Sequence, residues 1–231
     1  MISACPLVCF AIKEEAAPFR KTDAAARAQI LLVGMGRANA EKTIRAALAA
    51  GRPQLVLTCG FAGGLNPQLM TGDVVFSDDP ELEGWGERPR EPSPGLSVAS
   101  PHQSLKVKLL ASGAREAKFH FAARVAVTAE EKQALWQKTG ADAVEMESEI
   151  IRVVCREQNI PSATVRVILD AAGETLPLDF NALMTPDMRL DSGKLALTIL
   201  KSPGKIAALR RLQKQSRIAA EKLAQVLEAV V

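Results

Sequence analysis

Short apolar runs alternate with longer amphipathic stretches along this chain. Six runs are apolar enough to form buried strands, and glycine, proline or polar residues bound them: residues 6–12, 29–36, 54–60, 72–78, 123–128 and 162–170. Between and after these runs, apolar positions recur at helical spacing and predict helices over residues 37–51, 102–113, 130–140, 147–160 and 202–231. Alternating strands and helices are typical of an α/β fold. We therefore predict a three-layer α/β/α sandwich around a twisted, mixed and mostly parallel sheet.

Length and composition narrow this picture without naming a function. The chain has 231 residues, enough for one well-buried domain, and no repeat or linker divides it, so we expect a single domain over residues 1–231. Its net charge of +3 is too small to indicate nucleic acid. Aromatic residues make up only 4%, with no tyrosine, which argues against stacking platforms for single strands. We expect no nucleic-acid partner.

The cysteines and the first residues of the chain indicate the cellular compartment. The four cysteines, at positions 5, 9, 59 and 155, form no metal-binding pair, and the chain has only two histidines, so we expect no metal site. Scattered cysteines are typical of small core residues in a reducing compartment. The first 15 residues lack the basic segment of a signal peptide, and no apolar run is long enough to cross a bilayer. We expect a cytoplasmic protein.

Two glycine-rich turns follow predicted strands. In GMGRANA (34–40), the third glycine position of a dinucleotide motif holds Asn39, and the next strand lacks the acid that would bind a ribose diol. This disfavours a nicotinamide oxidoreductase and favours a tight turn in which Gly34 and Gly36 supply backbone freedom, with helix N–H groups facing a ligand. In CGFAGGLNP (59–67), small residues would let a flat ring lie against the backbone, although glycine content alone favours a simple turn.

Three further segments place an acid beside apolar residues at the end of an element: AIKEEA (11–16), AVEMESE (143–149) and VRVILDAA (165–172). Together with CGFAGGLNPQLMTGDVV (59–75), and in this order, they resemble the nucleoside phosphorylase and nucleosidase superfamily. The most similar branch is the methylthioadenosine/adenosylhomocysteine nucleosidases, and the resemblance covers most of residues 6–172. It implies a phosphorylase-like fold, no cofactor, and cleavage of the N-glycosidic bond of a purine nucleoside, with adenine released.

The resemblance also implies roles for individual residues. Glu147 matches the acid that binds the ribose diol, with Met146 packing on the sugar, and a carboxylate can accept both hydroxyls. Asp170 matches the general acid at the purine N7, and Glu15 matches the acid that orients the attacking water. Glu145 is either a further substrate contact or a structural residue. Arg166 shares a strand face with Asp170, where it would steady that acid or lower its pKa.

Several further positions complete the predicted substrate site: Phe61, Ala62, Gly63, Gly36 and Arg37. The family has serine where this chain has Phe61 and Leu169, and these apolar replacements favour a substrate with an apolar 5′ group. The 171–187 loop and the basic terminal helix are similar to those of hopanoid-associated phosphorylases, which are linked with removing adenine from adenosylhopane.

The nucleophile is predicted from the cations available to it. Phosphate needs cationic or N–H donors, and phosphorylases of this family place an arginine before the glycine turn, where LVLTCG (55–60) has none. Arg37 either substitutes for it or is a solvated residue of the first helical turn. We therefore favour water, with inorganic phosphate as a co-substrate in the alternative. A second alternative is a non-catalytic nucleoside-binding protein, which would need Glu147 but not Asp170.

The resemblance implies a homodimer or higher homo-oligomer in which a partner loop closes the site. The loop around Trp85 and the stretch 119–121 are candidates for that loop, and Trp85 alternatively anchors its own subunit. The terminal helix is basic on one face and apolar on the other. We expect it to pack on the core, with a weak peripheral contact to anionic lipid as the alternative.

Overall fold

The computed structural model describes residues 2–3, 5–78 and 101–231, so the loop around Trp85 lies outside the described residues. The strands are β1 (Ile2–Ser3), β2 (Leu7–Phe10), β3 (Gln29–Leu32), β4 (Arg52–Pro53), β5 (Val56–Gly64), β6 (Val74–Asp78), β7 (Arg115–Glu116), β8 (Phe119–Phe121), β9 (Ala143–Glu145) and β10 (Ser162–Asp170). The α-helices are α1 (Lys13–Phe19), α2 (Arg37–Ala50), α3 (Pro101–Ala111), α4 (Ala129–Thr139), α5 (Ser148–Glu157), α6 (Phe180–Leu183), α7 (Ser192–Lys201) and α8 (Ile206–Val230). Short 3₁₀ turns cover Asp23–Arg27 and Pro203–Lys205.

The main sheet is mixed and mostly parallel. Its strands lie in the order β3-β2-β5-β10-β6-β7, and β9 joins β5 to β8. The β2/β3, β2/β5, β5/β10, β6/β7 and β8/β9 pairs are parallel, whereas β10/β6 and β5/β9 are antiparallel. The two long central strands, β5 and β10, are buried along nearly their whole length, as near-continuous apolar runs predict.

Helices cover both faces of this sheet. On one face, alternate residues of β5 and β10 pack with α1, α3 and the second half of α8, around Leu57, Val165 and Leu223. On the other face, α2 and α5 pack over the sheet through Ile44 and Ile151. The predicted three-layer α/β/α sandwich is confirmed. Among the helices of the described residues, none is both long enough and apolar enough to cross a bilayer.

The elements agree with the sequence pattern except in a few places. Five of the six predicted strands and all five predicted helices form, but the strand predicted over residues 123–128 is wrong. There the Asn181 side chain bonds both the N–H and the C=O of Val125, at 2.9 Å each, in place of a neighbouring strand. The pattern also missed β8, β9, α7 and the short helices α1 and α6, of which α1 contains Pro18.

Three of the four cysteines are core residues, as their scattered positions in the sequence predict. Cys9, Cys59 and Cys155 are buried in the two apolar layers. Burial raises the pKa of the Cys9 thiol, and it also raises that of Cys59. Thiols of this kind are inert core residues and not nucleophiles.

Candidate active site

A buried arginine lies among acids on one face of the sheet. Arg166, in β10, is 1% exposed and donates through Nη2 to Thr58 Oγ1 at 3.2 Å. The same nitrogen contacts the carboxylate of Glu145 and lies 3.7 Å from Glu147 Oε2. Glu15 is 4% exposed, and its charge also acts on the guanidinium. In this Arg166 cluster (Arg166, Glu15, Glu145 and Glu147), three carboxylates share one cation where little water enters.

Glu145 is committed to the protein on both of its oxygens. Oε1 accepts from the Ser148 N–H at 3.1 Å and from the Ser148 hydroxyl at 2.8 Å, and Oε2 accepts from the N–H groups of Glu147 at 3.1 Å and Ser148 at 2.9 Å. Ser148 begins α5, so this carboxylate satisfies N–H groups that have no partner inside the helix. These bonds and the contact with Arg166 favour the structural role of the two that the sequence left open for Glu145.

Glu147 lies where two helices begin. It is the N-cap residue of α5, and its Oε1 accepts from the N–H of Gly36, the N-cap residue of α2, at 2.8 Å. Gly36 has a positive φ of 79°, which glycine adopts readily, so the predicted backbone freedom is confirmed there. Among the N–H groups at the start of α2, that of Gly36 is paired with Glu147 and orients it, so it is not free to face a ligand. Met146, half-buried, precedes Glu147 directly.

The charge of Glu147 is finely balanced. The pKa of Glu147 is raised to about 7, chiefly by burial. Arg166 and the Gly36 N–H oppose the rise, and the neighbouring Glu145 and Glu15 charges contribute to it. Its carboxyl therefore changes charge near neutral pH. An ionised Glu147 presents acceptor oxygens only, which suits a pair of hydroxyl donors.

Glu15 is fixed by backbone donors. In α1, its Oε2 accepts from the N–H groups of Ala11 at 2.9 Å and Ile12 at 3.1 Å, while Oε1 accepts from the Phe61 N–H at 2.8 Å. Burial raises the pKa of Glu15, whereas the Arg166 charge and these three N–H groups oppose the rise. A carboxylate held in this way points in one direction, as a residue that orients a small nucleophile must.

Gly60 shows how tightly this cluster is packed. A Cβ built on Gly60 would lie 2.5 Å from Arg166 Nη1 and 2.5 Å from Glu15 Oε1. No other residue could occupy the position without displacing both charged groups. Here the glycine is required by the cluster, and a simple turn does not explain it.

Asp170 lies at the other end of the site, on the carboxyl end of β10. It is 7% exposed, and a register shift between Ile168 and Asp170 interrupts the pairing of β10 with β5. Its carboxylate contacts the ammonium of Lys132, which α4 places with 0% exposure. Burial raises the pKa of Asp170, and the charge and hydrogen bond of Lys132 oppose that rise. We refer to these two residues as the Lys132 pair.

Lys132 is the site residue that sequence reasoning missed. Its Nζ also donates to the carbonyls of Ala171 at 2.9 Å and Glu174 at 2.7 Å, so its three N–H donors are all directed at the end of β10 and the loop that follows it. In the sequence it is one charged residue of an amphipathic helix, EEKQALWQKT (130–139), with nothing to separate it from a solvated lysine.

Arg166 was expected beside Asp170, and that prediction is wrong. The two residues are four positions apart on an extended strand, roughly 13 Å along the strand, so sharing a face does not bring their charges together. Arg166 instead turns toward Thr58 and the acids at the ends of β9 and α1.

The end of β5 connects the two charged groups. Gly60 lies against the Arg166 cluster, and a Cβ built on Gly63 would lie 3.6 Å from Asp170 Oδ2. Gly63 follows Gly60 by three positions, which is roughly 10 Å along an extended strand. Ala62, between them, is buried with Ile168 and Ala143. This glycine segment, residues 60–64, therefore lies against Arg166 and Glu15 at one end and against Asp170 at the other.

The side chains of Arg37, Phe61 and Leu169 have protein surroundings of their own. Arg37 is solvated: its side chain is 63% exposed and pairs with Glu149 at 3.0 Å, so its predicted role as a phosphate ligand is not supported. Phe61 and Leu169 are half-buried and pack against the apolar cluster beneath α8. Core packing accounts for their apolar character, so they no longer argue for an apolar 5′ group on the substrate.

A cavity of about 480 Å³ opens between α4 and the segment that contains β8. One wall is β8 and the segment after it, where the Ala122 N–H donates to the Glu145 carbonyl at 2.9 Å. The opposite wall is α4, through Glu131, Leu135 and Lys138. The cavity is therefore bounded by the segment bonded to β9 on one side and by the helix that carries Lys132 on the other.

Sequence comparison with known proteins identifies a family and individual relatives. The family model described as the phosphorylase superfamily matches residues 19–201. A 5'-methylthioadenosine/S-adenosylhomocysteine nucleosidase from Marinomonas sp. (strain MWYL1) is 30% identical over 172 residues, which span 65% of this chain and 71% of that protein. An enzyme of the same name from Staphylococcus aureus (strain bovine RF122 / ET3-1) is 27% identical over 171 residues, 65% of this chain and 72% of that protein.

Solved structures share the fold at lower identity. Futalosine hydrolase of Helicobacter pylori strain 26695 superposes with a TM-score of 0.65 at 17% identity, covering 98% of this chain and 97% of that one. The 5'-methylthioadenosine/S-adenosylhomocysteine nucleosidase from Neisseria meningitidis, in complex with methylthio-immucillin-A, superposes with a TM-score of 0.64 at 19% identity, covering 99% of this chain and 98% of that one. At sequence identities this low, the superpositions establish a common fold and nothing more.

Proposed function

This chain belongs to the phosphorylase superfamily, and from that premise we propose that it hydrolyses the N-glycosidic bond of an adenine nucleoside. The observation that carries the proposal is a pair of buried acids, Glu147 and Asp170, each beside its own cation. The glycine segment connects them, because Gly60 lies against Arg166 and Gly63 lies against Asp170. The relatives that match by sequence are nucleosidases, which supports cleavage of this bond.

Glu147 would hold the sugar. Its Oε1 is fixed by Gly36, so the carboxylate is oriented before the substrate arrives and can accept from both hydroxyls of a ribose diol. As the bond to the base breaks, positive charge develops on the sugar, and the carboxylate stabilises that charge more strongly than it stabilises the intact nucleoside. Arg166 fixes the opposite side of the same carboxyl group.

Asp170 would act on the base. The departing purine carries negative charge until N7 is protonated, so a carboxylic acid beside N7 lowers the barrier. Burial raises the pKa of Asp170, which favours the protonated form that can donate. Lys132 opposes that rise while it fixes the direction of the carboxyl group, so the pair sets how much of the acid form is present.

Glu15 would orient the attacking water. The carboxylate is locked by three backbone N–H groups, and Oε1 accepts only one of them, which leaves a lone pair for a water proton. In this role Glu15 positions the nucleophile and does not form a covalent bond. The proposed chemistry needs no cofactor.

Water is favoured over phosphate by the state of the arginines near the site. Arg37 is exposed and paired with Glu149, and Arg166 already faces three carboxylates. Neither residue is placed to receive a phosphate dianion, which needs uncommitted cationic donors. The experiment is release of free adenine from 5′-methylthioadenosine with and without inorganic phosphate. We expect equal rates, and strict dependence on phosphate would establish phosphorolysis, the alternative function.

The substrate can be identified by measuring adenine release from a panel of adenine nucleosides. Adenine release should be compared for adenosine, 5′-methylthioadenosine, S-adenosylhomocysteine and adenosylhopane, the last because the C-terminal region resembles hopanoid-associated phosphorylases. The panel tests the apolar 5′ group directly, independently of Phe61 and Leu169. If nucleosides bind but none is cleaved, the chain is a binding protein and the proposal fails. The homo-oligomeric state implied by the family is part of the proposal, and sedimentation of the purified chain tests it.

A further inference from the structure

We propose that residues 192–218 form a surface that docks on an anionic lipid bilayer, a property separate from the proposed reaction. This basic arm comprises α7, the 3₁₀ turn Pro203–Lys205 and the first half of α8. None of its residues is buried against the part of the chain that the structure describes. The arm ends where α8 begins to pack on the sheet, at the buried residues Ala219 and Ala220.

The charge of the arm is set apart from that of the remaining chain. It contains seven cationic residues and no acidic residue: Lys194, Lys201, Lys205, Arg210, Arg211, Lys214 and Arg217. Because the whole chain carries +3, the residues outside the arm carry a net charge of −4. Arg217 pairs with Glu221 just beyond the arm, where both side chains are at the surface. A strongly positive segment on an otherwise acidic protein favours an anionic partner.

Large apolar side chains stand among these cations. Leu200 is 79% exposed, Leu197 52%, Ile218 44% and Ile206 37%. Leu197 and Leu200 are three residues apart on α7 and so lie on one helix face, with Lys194 and Lys201 on its border. A ten-residue helix such as α7 gains little stability in water alone, so an exposed apolar face on it indicates a surface that covers it.

An anionic bilayer fits both features at once. Lysine and arginine side chains can extend to lipid phosphates while leucines enter the boundary between headgroups and acyl chains. Nucleic acid would neutralise the cations but leave the leucines in water. A second copy that packed its own arm against this one would bring seven like charges against seven. The geometry and charge therefore point to a lipid surface.

The test is sedimentation of the full chain with vesicles. We expect it to bind vesicles of phosphatidylglycerol and phosphatidylcholine mixed in equal amounts, and to bind pure phosphatidylcholine far less. Lys201→Glu with Lys205→Glu should weaken binding by at least about tenfold, because each cation near the surface contributes to attraction. Leu197→Ser with Leu200→Ser should weaken it by about the same factor, through loss of buried apolar area.

The matched control variants carry the same types of substitution at exposed positions outside the arm. Lys13→Glu with Lys21→Glu reverses two exposed charges outside the arm, and Val107→Ser with Leu110→Ser removes two exposed apolar residues, 65% and 49% exposed, from α3. Both controls should bind as the original chain does. The proposal is overturned if anionic vesicles are not bound, or if the controls lose binding equally. It is also overturned if the leucine variant binds normally while duplex DNA competes with vesicles, or if the leucine variant changes the oligomeric mass in the absence of lipid.

Discussion

Two buried cations divide the candidate site, and their surroundings differ. Arg166 faces three carboxylates and one threonine hydroxyl, whereas Lys132 faces one carboxylate and two backbone carbonyls. The planar guanidinium suits several acceptors spread in one plane, and the ammonium suits three acceptors around a point. Each cation thus matches the number and arrangement of the oxygens around it.

This difference determines what opposes the rise in the pKa of each acid. Around Arg166, acids outnumber cations, so burial is not fully compensated and the pKa of Glu147 rises to about 7. Around Lys132, one acid meets one cation, and Asp170 is held with its partner charge in contact. Because buried ion pairs seldom add net stability, charges kept at both ends of the glycine segment favour a role in binding or catalysis.

The largest effect should come from removing the acid of the Lys132 pair. In Asp170→Asn the side chain can no longer donate a proton to N7, so kcat for adenine release should fall by about 10²–10⁴-fold. Equilibrium binding of a nucleoside analogue should persist. Asp23→Asn, at an exposed position, is the control and should leave kcat unchanged. An unchanged kcat in Asp170→Asn would exclude general acid catalysis by this residue.

Removing the cation of the Arg166 cluster should act mainly on stability. Arg166→Met leaves three buried carboxylates without a partner charge, so we expect the free energy of unfolding to fall by about 3–5 kcal/mol in urea titrations at neutral pH. The loss should be smaller at acidic pH, where those carboxyls are protonated. A loss that does not vary with pH would indicate that packing, and not charge, explains the effect.

Removing the cation of the Lys132 pair should act mainly on the pH profile. Lys132 lowers the pKa of Asp170, so Lys132→Met should raise that pKa and keep the acid form present to higher pH. The alkaline limb of kcat should therefore move upward, with a loss of kcat of about tenfold from misorientation of the acid. Gln133→Met, at the exposed neighbouring position of α4, should change neither. A purely structural lysine would reduce stability without moving the limb.

Glu147→Gln should affect binding and turnover together. We expect KM to rise and kcat to fall by roughly tenfold each, since contacts to the diol strengthen as charge develops on the sugar. In the original chain kcat/KM should increase as pH rises through about 7, where Glu147 ionises beside Arg166, Glu145 and Glu15. Glu147→Gln should lose this rise of kcat/KM with pH, and the control Glu149→Gln should keep it.

The smallest effect is a pH dependence of stability from the same residue. The folded chain holds the Glu147 proton up to about pH 7, whereas a free glutamate has a pKa of 4.5. Between these values the folded state binds more protons, so the free energy of unfolding falls as pH rises and the loss is complete above about 7. From pH 5 to pH 8, Glu147→Gln should gain about 1–3 kcal/mol relative to the original chain. A constant difference would contradict the raised pKa.

The alternation of apolar runs with helical spacing was sufficient to predict the sheet, because burial on both faces leaves a direct mark on sequences such as those of β5 and β10. The ordered acidic motifs predict Glu147 and Asp170 as site residues, and the structure buries both acids. The chain at 123–128 shows the limit, since the same apolar pattern there is stabilised by the Asn181 side chain, 56 residues from Val125.

The partners of the charged residues were decided by the tertiary structure. Gly36 reaches Glu147 across 111 residues of sequence, Arg166 reaches Thr58 across 108, and Lys132 reaches the Ala171 carbonyl across 39. Nothing local in the sequence distinguishes Lys132 from a solvated helix residue, or assigns Arg166 to Glu145 in place of Asp170. Burial makes these choices, because a charge removed from water must find whichever opposite charge the packing of distant elements brings within reach.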